Sequence, residues 1–304
     1  MKIRIATRKS KLALWQARHV SQKLELLDTV SGVELVPLST RGDEILDKSL
    51  QKIGGKGLFI KELEVAMRSG DADIAVHSMK DVPTEIQAGF CIAAMLKRAD
   101  PSDAFVSNGV TLSGLAAGAT IGSSSLRRQA QLKALWPDID VLPLRGNVDT
   151  RLAKLDKGEF DAIILATAGL ERLGLAERIT EKFSPSHMLP ATAQGVIGIE
   201  CLANRDDLLP VLAELQDQSS ALTTAAERAV AETLNANCQS PVACFATMSK
   251  GRMTVRALVA TPDGRTLLRE SAEGEAADAI TLGRAVAQQL LDAGAAGLLA
   301  ELSA

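Results

Sequence analysis

Short apolar runs alternate with longer amphipathic runs over about the first 200 residues, and this alternation constrains the fold more than any other feature of the chain. Ile3–Thr7, Val33–Ser39 and Asp73–His77 are typical of buried strands. Leu12–Leu27 and Leu58–Arg68 are amphipathic and are typical of helices. The sequence therefore predicts an α/β fold with a largely parallel sheet, and ligand sites in such sheets lie at the carboxyl ends of the strands.

Two polar segments that contain proline, Arg98–Asp103 and Ser184–Pro190, are typical of boundaries between compact regions. Between them we predict strands at Thr120–Gly122, Val141–Leu144 and Asp161–Leu165, and helices at Ser124–Trp136, Asn147–Leu155 and Ala168–Leu173. Beyond them we predict a strand at Gly195–Ala203 and helices at Leu208–Leu215 and Ala221–Leu234. The C-terminal part predicts a small α+β unit, with strands at Ala243–Met248, Arg252–Ala260 and Thr266–Glu273 and a helix at Ala276–Leu291.

Composition excludes several classes of function. The chain has 34 basic and 37 acidic side chains, a formal net charge of −3, and it has no tyrosine. Neither a basic surface nor an aromatic platform for nucleic acid is therefore expected. Apolar runs are shorter than the roughly 18 residues of a membrane span, and the cationic start is not typical of a secretory signal, so we expect a cytoplasmic protein without a membrane partner. The three histidines are scattered and the four cysteines form no Cys-x-x-Cys pair, so no metal site is expected.

Basic residues recur where predicted strands give way to helices. A helix N-terminus carries partial positive charge, so cations there are unfavourable unless an anion lies among them. Ordinary capped helices with solvated cations remain the alternative, with Ser10, Ser124 and Asn147 as candidate N-caps. No loop matches a nucleotide-binding motif, so the pattern favours a ligand with several carboxylates. The four junctions are Thr7–Lys11, Gly54–Phe59 with Lys52 upstream, Gly122–Arg128 and Leu144–Arg151.

One acidic residue, Asp81, follows a predicted strand within His77–Pro83. Neighbouring cations would keep its carboxylate ionised, and it could then stabilise a developing positive charge or move a proton. The alternative is that Asp81 only caps the turn before Pro83. His77, Ser78 and Asp81 are too close in sequence to be taken as a hydrolase triad.

Among the cysteines, Cys238 lies between the end of a predicted helix and Pro241, which places it on a turn where a thiol could be reactive. Cys91, Cys201 and Cys244 lie in apolar runs and are interpreted as buried core residues.

Together these residues resemble the porphobilinogen deaminase (hydroxymethylbilane synthase) family over almost the whole chain. The combination of motifs is specific, although no single motif is decisive. The matching segments are Arg8–Gln16, Thr40–Asp43, Gly54–Phe59, Asp73–Pro83, Ser123–Arg128, Leu144–Val148 and Gln194–Gly195.

The resemblance implies two α/β domains like type II periplasmic binding proteins and a small C-terminal α+β domain. The implied domains are residues 1–98 with 195–215, residues 99–194, and residues 216–304. It also implies a cytoplasmic monomer that condenses four porphobilinogen molecules head to tail, with loss of ammonia, into the linear tetrapyrrole hydroxymethylbilane. The implied cofactor is a dipyrromethane linked by a thioether.

Site residues are implied by the same resemblance. Cys238 would carry the cofactor, Asp81 would be the catalytic carboxylate, and Phe59 would contact a pyrrole. Lys52 and Lys56 would belong to a mobile loop. The implied cofactor ligands are Ser78, Lys80, Ser124, Ser125, Arg127, Arg128 and Arg145, and the implied substrate ligands are Arg8, Ser10, Arg145, Arg151 and Arg172.

The sequence departs from the family pattern around Cys238. Ala236 and Asn237 replace a glycine pair, and Ser240 replaces a β-branched residue. We expect Asn237 to adopt the positive φ that a glycine would supply. The rival functions are a non-catalytic two-lobed anion-binding protein, which would need neither Cys238 nor Asp81, and a transcriptional regulator, for which no basic helix-turn-helix segment is evident.

Overall fold

Two five-stranded sheets and one three-stranded sheet form the frame of the described chain. The computed structural model describes residues 1–40, 60–237 and 239–301. The chain separates into two units. Unit 1 contains Met1–Ala99 and Val196–Ala221, and unit 2 contains Asp100–Gly195 and Leu222–Ala304.

The strands and helices follow the predicted alternation closely along the described chain. The strands are β1 (Lys2–Arg8), β2 (Gly32–Leu38), β3 (Ile74–Ser78), β4 (Phe90–Met95), β5 (Asp103–Ser107), β6 (Thr120–Gly122), β7 (Asp140–Leu142), β8 (Ala162–Ala166), β9 (Glu181–Lys182), β10 (Ile197–Leu202), β11 (Val242–Ser249), β12 (Arg252–Ala260) and β13 (Leu267–Glu275). The helices are α1 (Lys11–Leu24), α2 (Lys61–Arg68), α3 (Leu126–Leu135), α4 (Val148–Asp156), α5 (Thr167–Arg172), α6 (Leu209–Ala213), α7 (Gln218–Thr233), α8 (Ala279–Asp292) and α9 (Ala295–Glu301).

The sheet of unit 1 has the order β2-β1-β3-β10-β4. β1 pairs in parallel with β2 and β3, whereas β10 is antiparallel to both β3 and β4. α1 covers this sheet with Ala13, Ala17, Val20 and Leu24, which recur at helical spacing, and Ala17, Val20 and Leu24 join the core around Ile5. The prediction of a largely parallel sheet is therefore wrong for β10, because this strand enters the sheet only after the chain has passed through residues 100–195.

The large sheet of unit 2 repeats this arrangement with the order β7-β6-β8-β5-β9. β6 pairs in parallel with β7 and β8, and β5 is antiparallel to β8. The α/β class is therefore confirmed. β5 begins inside the segment Arg98–Asp103, which the sequence suggested only as a polar boundary, because Asp103 is a buried polar residue at the start of an apolar strand.

The C-terminal part of unit 2 is the predicted α+β structure, with the antiparallel order β11-β12-β13. One face of the sheet is buried with α7, α8 and α9 in a core that includes Val230, Val255 and Val286. The other face places Phe245 and Leu258 in a cluster with Ala130 of α3. α9 is an addition to the elements that the sequence predicted.

Helices α7 and α8 approach so closely that Gly283 faces the backbone of Ala226. A Cβ atom at position 283 would overlap the carbonyl oxygen of Ala226 and lie 2.9 Å from the Cβ of Ala229. We expect Gly283→Ala to lower the free energy of unfolding by about 1 to 3 kcal/mol through overpacking. Gly297→Ala in α9 is the matched control, since its new methyl group meets open space, and it should raise stability by about 0.5 to 1 kcal/mol. Urea denaturation of both variants measures the two effects, and equal stability would contradict the packing.

Candidate functional site

Polar and basic side chains collect at the carboxyl edge of the parallel strands in unit 1. Arg8 ends β1 and Ser78 ends β3, and both side chains are half-buried. Ser10 caps α1, because its side chain accepts a hydrogen bond from the backbone N–H of Ala13 at 3.3 Å. The prediction of Ser10 as an N-cap is confirmed.

Gln16 fixes one of these side chains in place. It lies on the buried face of α1 and is 2% exposed. Its Nε2 atom donates to the hydroxyl oxygen of Ser78 at 2.7 Å, which connects α1 to the end of β3. Gln16 was not predicted as a site residue, although it lies inside the motif Arg8–Gln16. The contact leaves the Ser78 hydroxyl hydrogen free to be donated to an acceptor.

Lys80 and Asp81 lie in the single 3₁₀ turn Met79–Asp81 that follows β3. Asp81 is exposed, and its carboxylate makes no hydrogen bond within the described residues. The turn is closed by the backbone, where Val82 N–H donates to Met79 C=O at 3.2 Å. The interpretation of Asp81 as a turn cap is therefore wrong. Its carboxylate faces solvent at the same edge of the sheet as Arg8 and Ser10.

A buried pair lies immediately behind this edge. His77 Nε2 and Glu200 Oε2 are 2.9 Å apart across the antiparallel strands β3 and β10. Burial, and then the negative charge of Glu200, raise the pKa of nearby Glu64 on α2. The pair links β3, which leads to Ser78 and Asp81, to the neighbouring strand β10. The contact with Glu200 explains the buried position of His77 without a role as a metal ligand.

Serines line the corresponding edge in unit 2, where β6, β7 and β8 end. Ser125 is the N-cap of α3, because its hydroxyl accepts from the backbone N–H of Arg128 at 3.4 Å. Ser124 instead donates to the carbonyl of Leu144 at 2.9 Å and joins the two loops after β6 and β7. The prediction of Ser124 as the N-cap is wrong by one residue. Asn147 holds the N-cap position of α4 but makes no capping hydrogen bond with its side chain.

Asp103 is the central acidic residue of this edge, and it was not predicted as a site residue from the sequence. It is fully buried at the start of β5, opposite Ala166 at the end of β8. Its carboxylate accepts from Arg127 Nη1 at 2.7 Å and from Arg128 Nη2 at 2.7 Å. Burial alone would raise the pKa of Asp103, but the two guanidinium groups outweigh burial and hold that pKa far below its usual range.

The two arginines are themselves buried, with 4% of Arg127 and 6% of Arg128 exposed. Arg127 also donates to the carbonyl of Leu189 at 2.7 Å, and Arg128 donates to that of Ile164 at 2.8 Å. Two cations share one carboxylate, so Asp103, Arg127 and Arg128 together carry a formal excess of one positive charge. Such an excess in a buried place favours an anionic ligand.

The segment that ends at Gly195 is bonded to the same cluster. Gln194 Nε2 donates to Asp103 Oδ1 at 3.0 Å and to the carbonyl of Pro101 at 2.7 Å. Arg172 at the end of α5 donates to the carbonyl of Gly195 at 2.6 Å, and burial lowers the pKa of Arg172 to about 10. The Gln194–Gly195 motif thus has a structural explanation, because it links α5 to Asp103.

Two more of the predicted arginines follow β7 in the described chain. Arg145 and Arg151 are half-buried. Arg151 Nε donates to the carbonyl of Gly146 at 2.7 Å. Gly146 has φ +107°, and a Cβ atom there would approach Thr150 to 2.8 Å, so the loop requires glycine. This turn brings both arginines to the edge where the serines lie.

Lys52, Lys56, Phe59 and Cys238 lie outside the described residues. The residues on either side of position 238 are described. Asn237 N–H donates to the hydroxyl of Ser240 at 3.1 Å, and Gln239 N–H donates to the side-chain oxygen of Asn237 at 2.8 Å. The positive φ, +49°, belongs to Asn235, two residues beyond the end of α7. The expectation of a positive φ at Asn237 is therefore wrong, and the side chains of Asn237 and Ser240 instead accept hydrogen bonds from the neighbouring backbone.

Within residues 1–40, 60–237 and 239–301, no group of three or more His, Cys, Asp or Glu side chains could hold a metal ion. No helix in these ranges has the length and apolarity needed to cross a membrane.

Comparisons with known proteins cover nearly the whole chain. A family model described as "Porphobilinogen deaminase, dipyromethane cofactor binding domain" matches residues 3–210, and its C-terminal domain model matches residues 221–292. The porphobilinogen deaminase of Chromobacterium violaceum is 56% identical over 100% of this chain and 98% of the relative. That of Stenotrophomonas maltophilia is 53% identical over 98% of each chain. Among solved structures, the methionine-binding protein MetQ has a TM-score of 0.46 at 11% identity and covers 72% of this chain and 92% of its own.

Removing the Asp103 charge tests its place in the buried cluster. We expect Asp103→Asn to lower the free energy of unfolding at neutral pH by about 3 to 5 kcal/mol, because two buried cations lose their carboxylate. The folded-state pKa of Asp103 lies below the unfolded value of about 3.9. Its contribution to stability is therefore complete above that value and is lost as the pH falls towards the folded-state pKa.

The measurement is urea denaturation of both proteins between neutral and acidic pH. The difference in stability should be constant at and above about pH 5 and should shrink below about pH 4. Asp156→Asn is the matched control, because Asp156 pairs with Arg178 at 2.5 Å in an exposed position, and it should cost less than about 1 kcal/mol. Similar losses in the two variants would contradict the central role of Asp103.

Proposed function

The chain belongs to the porphobilinogen deaminase family, and from this membership we infer that it is a hydroxymethylbilane synthase. It is a transferase that condenses four porphobilinogen molecules head to tail, with loss of ammonia, in tetrapyrrole (haem) biosynthesis. The observation that carries the inference is the family match over residues 3–210 and 221–292. The alternative of a non-catalytic anion-binding protein lacks such support.

The family cofactor is a dipyrromethane, which when bound supplies the primer on which the pyrrole chain is extended. Its carboxylates fit the residues that are present in unit 2. Asp103, Arg127 and Arg128 leave one positive charge uncompensated, and the half-buried cations Arg145 and Arg151 lie along the same sheet edge. Cys238 would hold the cofactor through its sulfur, and Ser124, Ser125 and Arg128 would bind its carboxylates with Arg127 and Arg145.

The edge of unit 1 would supply the groups that act on the substrate. Arg8 and Ser10 would bind a carboxylate of porphobilinogen, while Ser78 and Lys80 would bind the cofactor. Gln16 orients the Ser78 hydroxyl for this role. Its side-chain amide donates a hydrogen bond to the serine oxygen, so the hydroxyl hydrogen can be donated to a carboxylate. On the edge of unit 2, Arg145, Arg151 and Arg172 would bind further substrate carboxylates.

Asp81 would be the catalytic carboxylate. When ammonia leaves porphobilinogen, positive charge develops on the pyrrole nitrogen and on the exocyclic carbon. The cations that bind carboxylates would repel this charge, whereas an ionised carboxylate stabilises it. Asp81 suits this role because its oxygens are exposed and make no hydrogen bond within the described chain.

The remaining assignments are proposals that rest on the resemblance. They are a cytoplasmic monomer, the three domains 1–98 with 195–215, 99–194 and 216–304, a mobile loop with Lys52 and Lys56, and a pyrrole contact at Phe59.

The cofactor attachment is tested by intact mass. The purified wild-type protein should carry an adduct of two pyrrole units, and Cys238→Ser should carry none, because the serine oxygen cannot form the thioether. Cys91→Ser is the matched control and should retain the whole adduct. An adduct that persists in Cys238→Ser, or that maps to Cys244, would contradict the assignment.

The role of Asp81 is tested with two substitutions. Asp81→Asn keeps the size of the side chain but removes its charge, and the rate should fall by a factor on the order of 10² to 10³. Asp81→Glu keeps the charge at a displaced position, so partial activity should remain. Single-turnover release of ammonia from cofactor-loaded protein measures this step apart from cofactor assembly. Near-normal release by Asp81→Asn would remove Asp81 from the mechanism.

A further inference from the structure

Two cysteines lie directly opposite each other in the sheet of unit 1. Cys91 on β4 is the register partner of Cys201 on β10. Residues opposite each other in antiparallel strands have Cα atoms about 4.5 to 5.5 Å apart, which lies within the range of about 4.4 to 6.8 Å found for disulfides. The two Sγ atoms are 3.8 Å apart. The strand pairing therefore holds the two thiols at a separation from which a bond needs only side-chain rotation.

The two thiols differ in their access to solvent. β4 is an edge strand of its sheet, and Cys91 is partly exposed. Cys201 is fully buried on the inner strand β10. A small oxidant in solution would therefore meet Cys91 first, and Cys201 would be the buried resolving thiol.

The surroundings of Cys201 keep it protonated until it reacts. Burial, and then the neighbouring Cys91, raise the pKa of Cys201 to about 12, while the cation of Arg205 opposes this and the charge of Glu200 adds to it. A buried neutral thiol is inert towards most reagents. The Sγ atom of Cys91 lies 3.8 Å from its own, so its reactivity is directed to that partner.

We propose that Cys91 and Cys201 form a reversible disulfide when the protein meets a peroxide. The Cys91 thiolate attacks one peroxide oxygen, the O–O bond breaks, and Cys91 becomes a sulfenic acid while hydroxide leaves. The Cys201 sulfur then attacks the Cys91 sulfur. The S–S bond forms, the S–O bond breaks, and the departing hydroxide takes the Cys201 proton. Two thiols and one peroxide thus give one disulfide and two waters, and a dithiol reductant reverses the change.

This modification site is separate from the proposed cofactor cysteine. Cys244 is buried in the core of the C-terminal sheet in unit 2, and Cys238 is proposed to be blocked by the cofactor. The inference does not depend on the proposed function, because it rests on strand register, sulfur distance and burial.

The test treats the full-length protein, purified with its cofactor, with hydrogen peroxide. After denaturation and alkylation of the remaining thiols, proteolytic peptides are mapped by mass spectrometry. We expect one cross-linked species that joins the peptides of Cys91 and Cys201 and lacks the mass of two hydrogen atoms. Cys244 should be alkylated fully in the treated and untreated samples, and prior reduction should restore alkylation of both Cys91 and Cys201.

Single variants separate the two steps. In Cys201→Ser the sulfenic acid of Cys91 should accumulate and be trapped by a 1,3-diketone reagent, because the resolving thiol is missing. In Cys91→Ser, Cys201 should remain alkylatable, because the oxidant does not reach it. Free Cys91 and Cys201 thiols in peroxide-treated wild-type protein would overturn the proposal. It would also be overturned by Cys91 oxidised to a sulfinic acid beside a free Cys201 in that sample, and neither result requires the variants to fold.

Discussion

Asp103 accepts hydrogen bonds from both guanidinium groups of α3 while it is fully buried at the start of β5. Without this carboxylate, two cations would lie in a place of low dielectric with only carbonyl oxygens as partners, which is a severe electrostatic cost. The same carboxylate accepts from Gln194, whose neighbour Gly195 accepts from Arg172. The contacts that join β5, α3 and the segment Gln194–Gly195 therefore depend on one buried charge.

This arrangement explains cations that lie where a helix dipole disfavours them. The sequence pattern requires an anion near the start of α3, and the protein supplies part of it as Asp103. One carboxylate balances the charge of only one of the two guanidinium groups, so the cluster keeps one formal positive charge. The remaining charge is available for an acidic ligand, so the cluster that stabilises this edge also suits the binding role proposed for it.

The edge of unit 1 differs in where its acidic residue lies. Arg8 and Lys80 lie at this edge with Asp81, whose carboxylate is exposed and makes no hydrogen bond among the described residues. The polar contacts there are local: Ser10 caps its own helix, and Gln16 orients Ser78. The acid of unit 1, Asp81, is thus exposed, whereas the acid of unit 2, Asp103, is buried. This difference fits the proposed roles, in which Asp81 stabilises a cation and Asp103 supports carboxylate binding.

By itself the sequence determined the α/β class, most element positions, the cap at Ser10 and the family, because periodicity, capping preference and motif order are local properties of the chain. It did not predict the antiparallel β10, the strand at Asp103 or the contact between Cys91 and Cys201. It also misplaced the cap of α3 and the positive φ near Cys238. The first three depend on pairing between strands that are far apart in the sequence, whereas the cap and the turn depend on which local hydrogen bond the folded chain selects. A polar residue such as Asp103 is indistinguishable from a surface residue along the sequence. Only tertiary structure, by burying it against Arg127 and Arg128, decides that its charge is required.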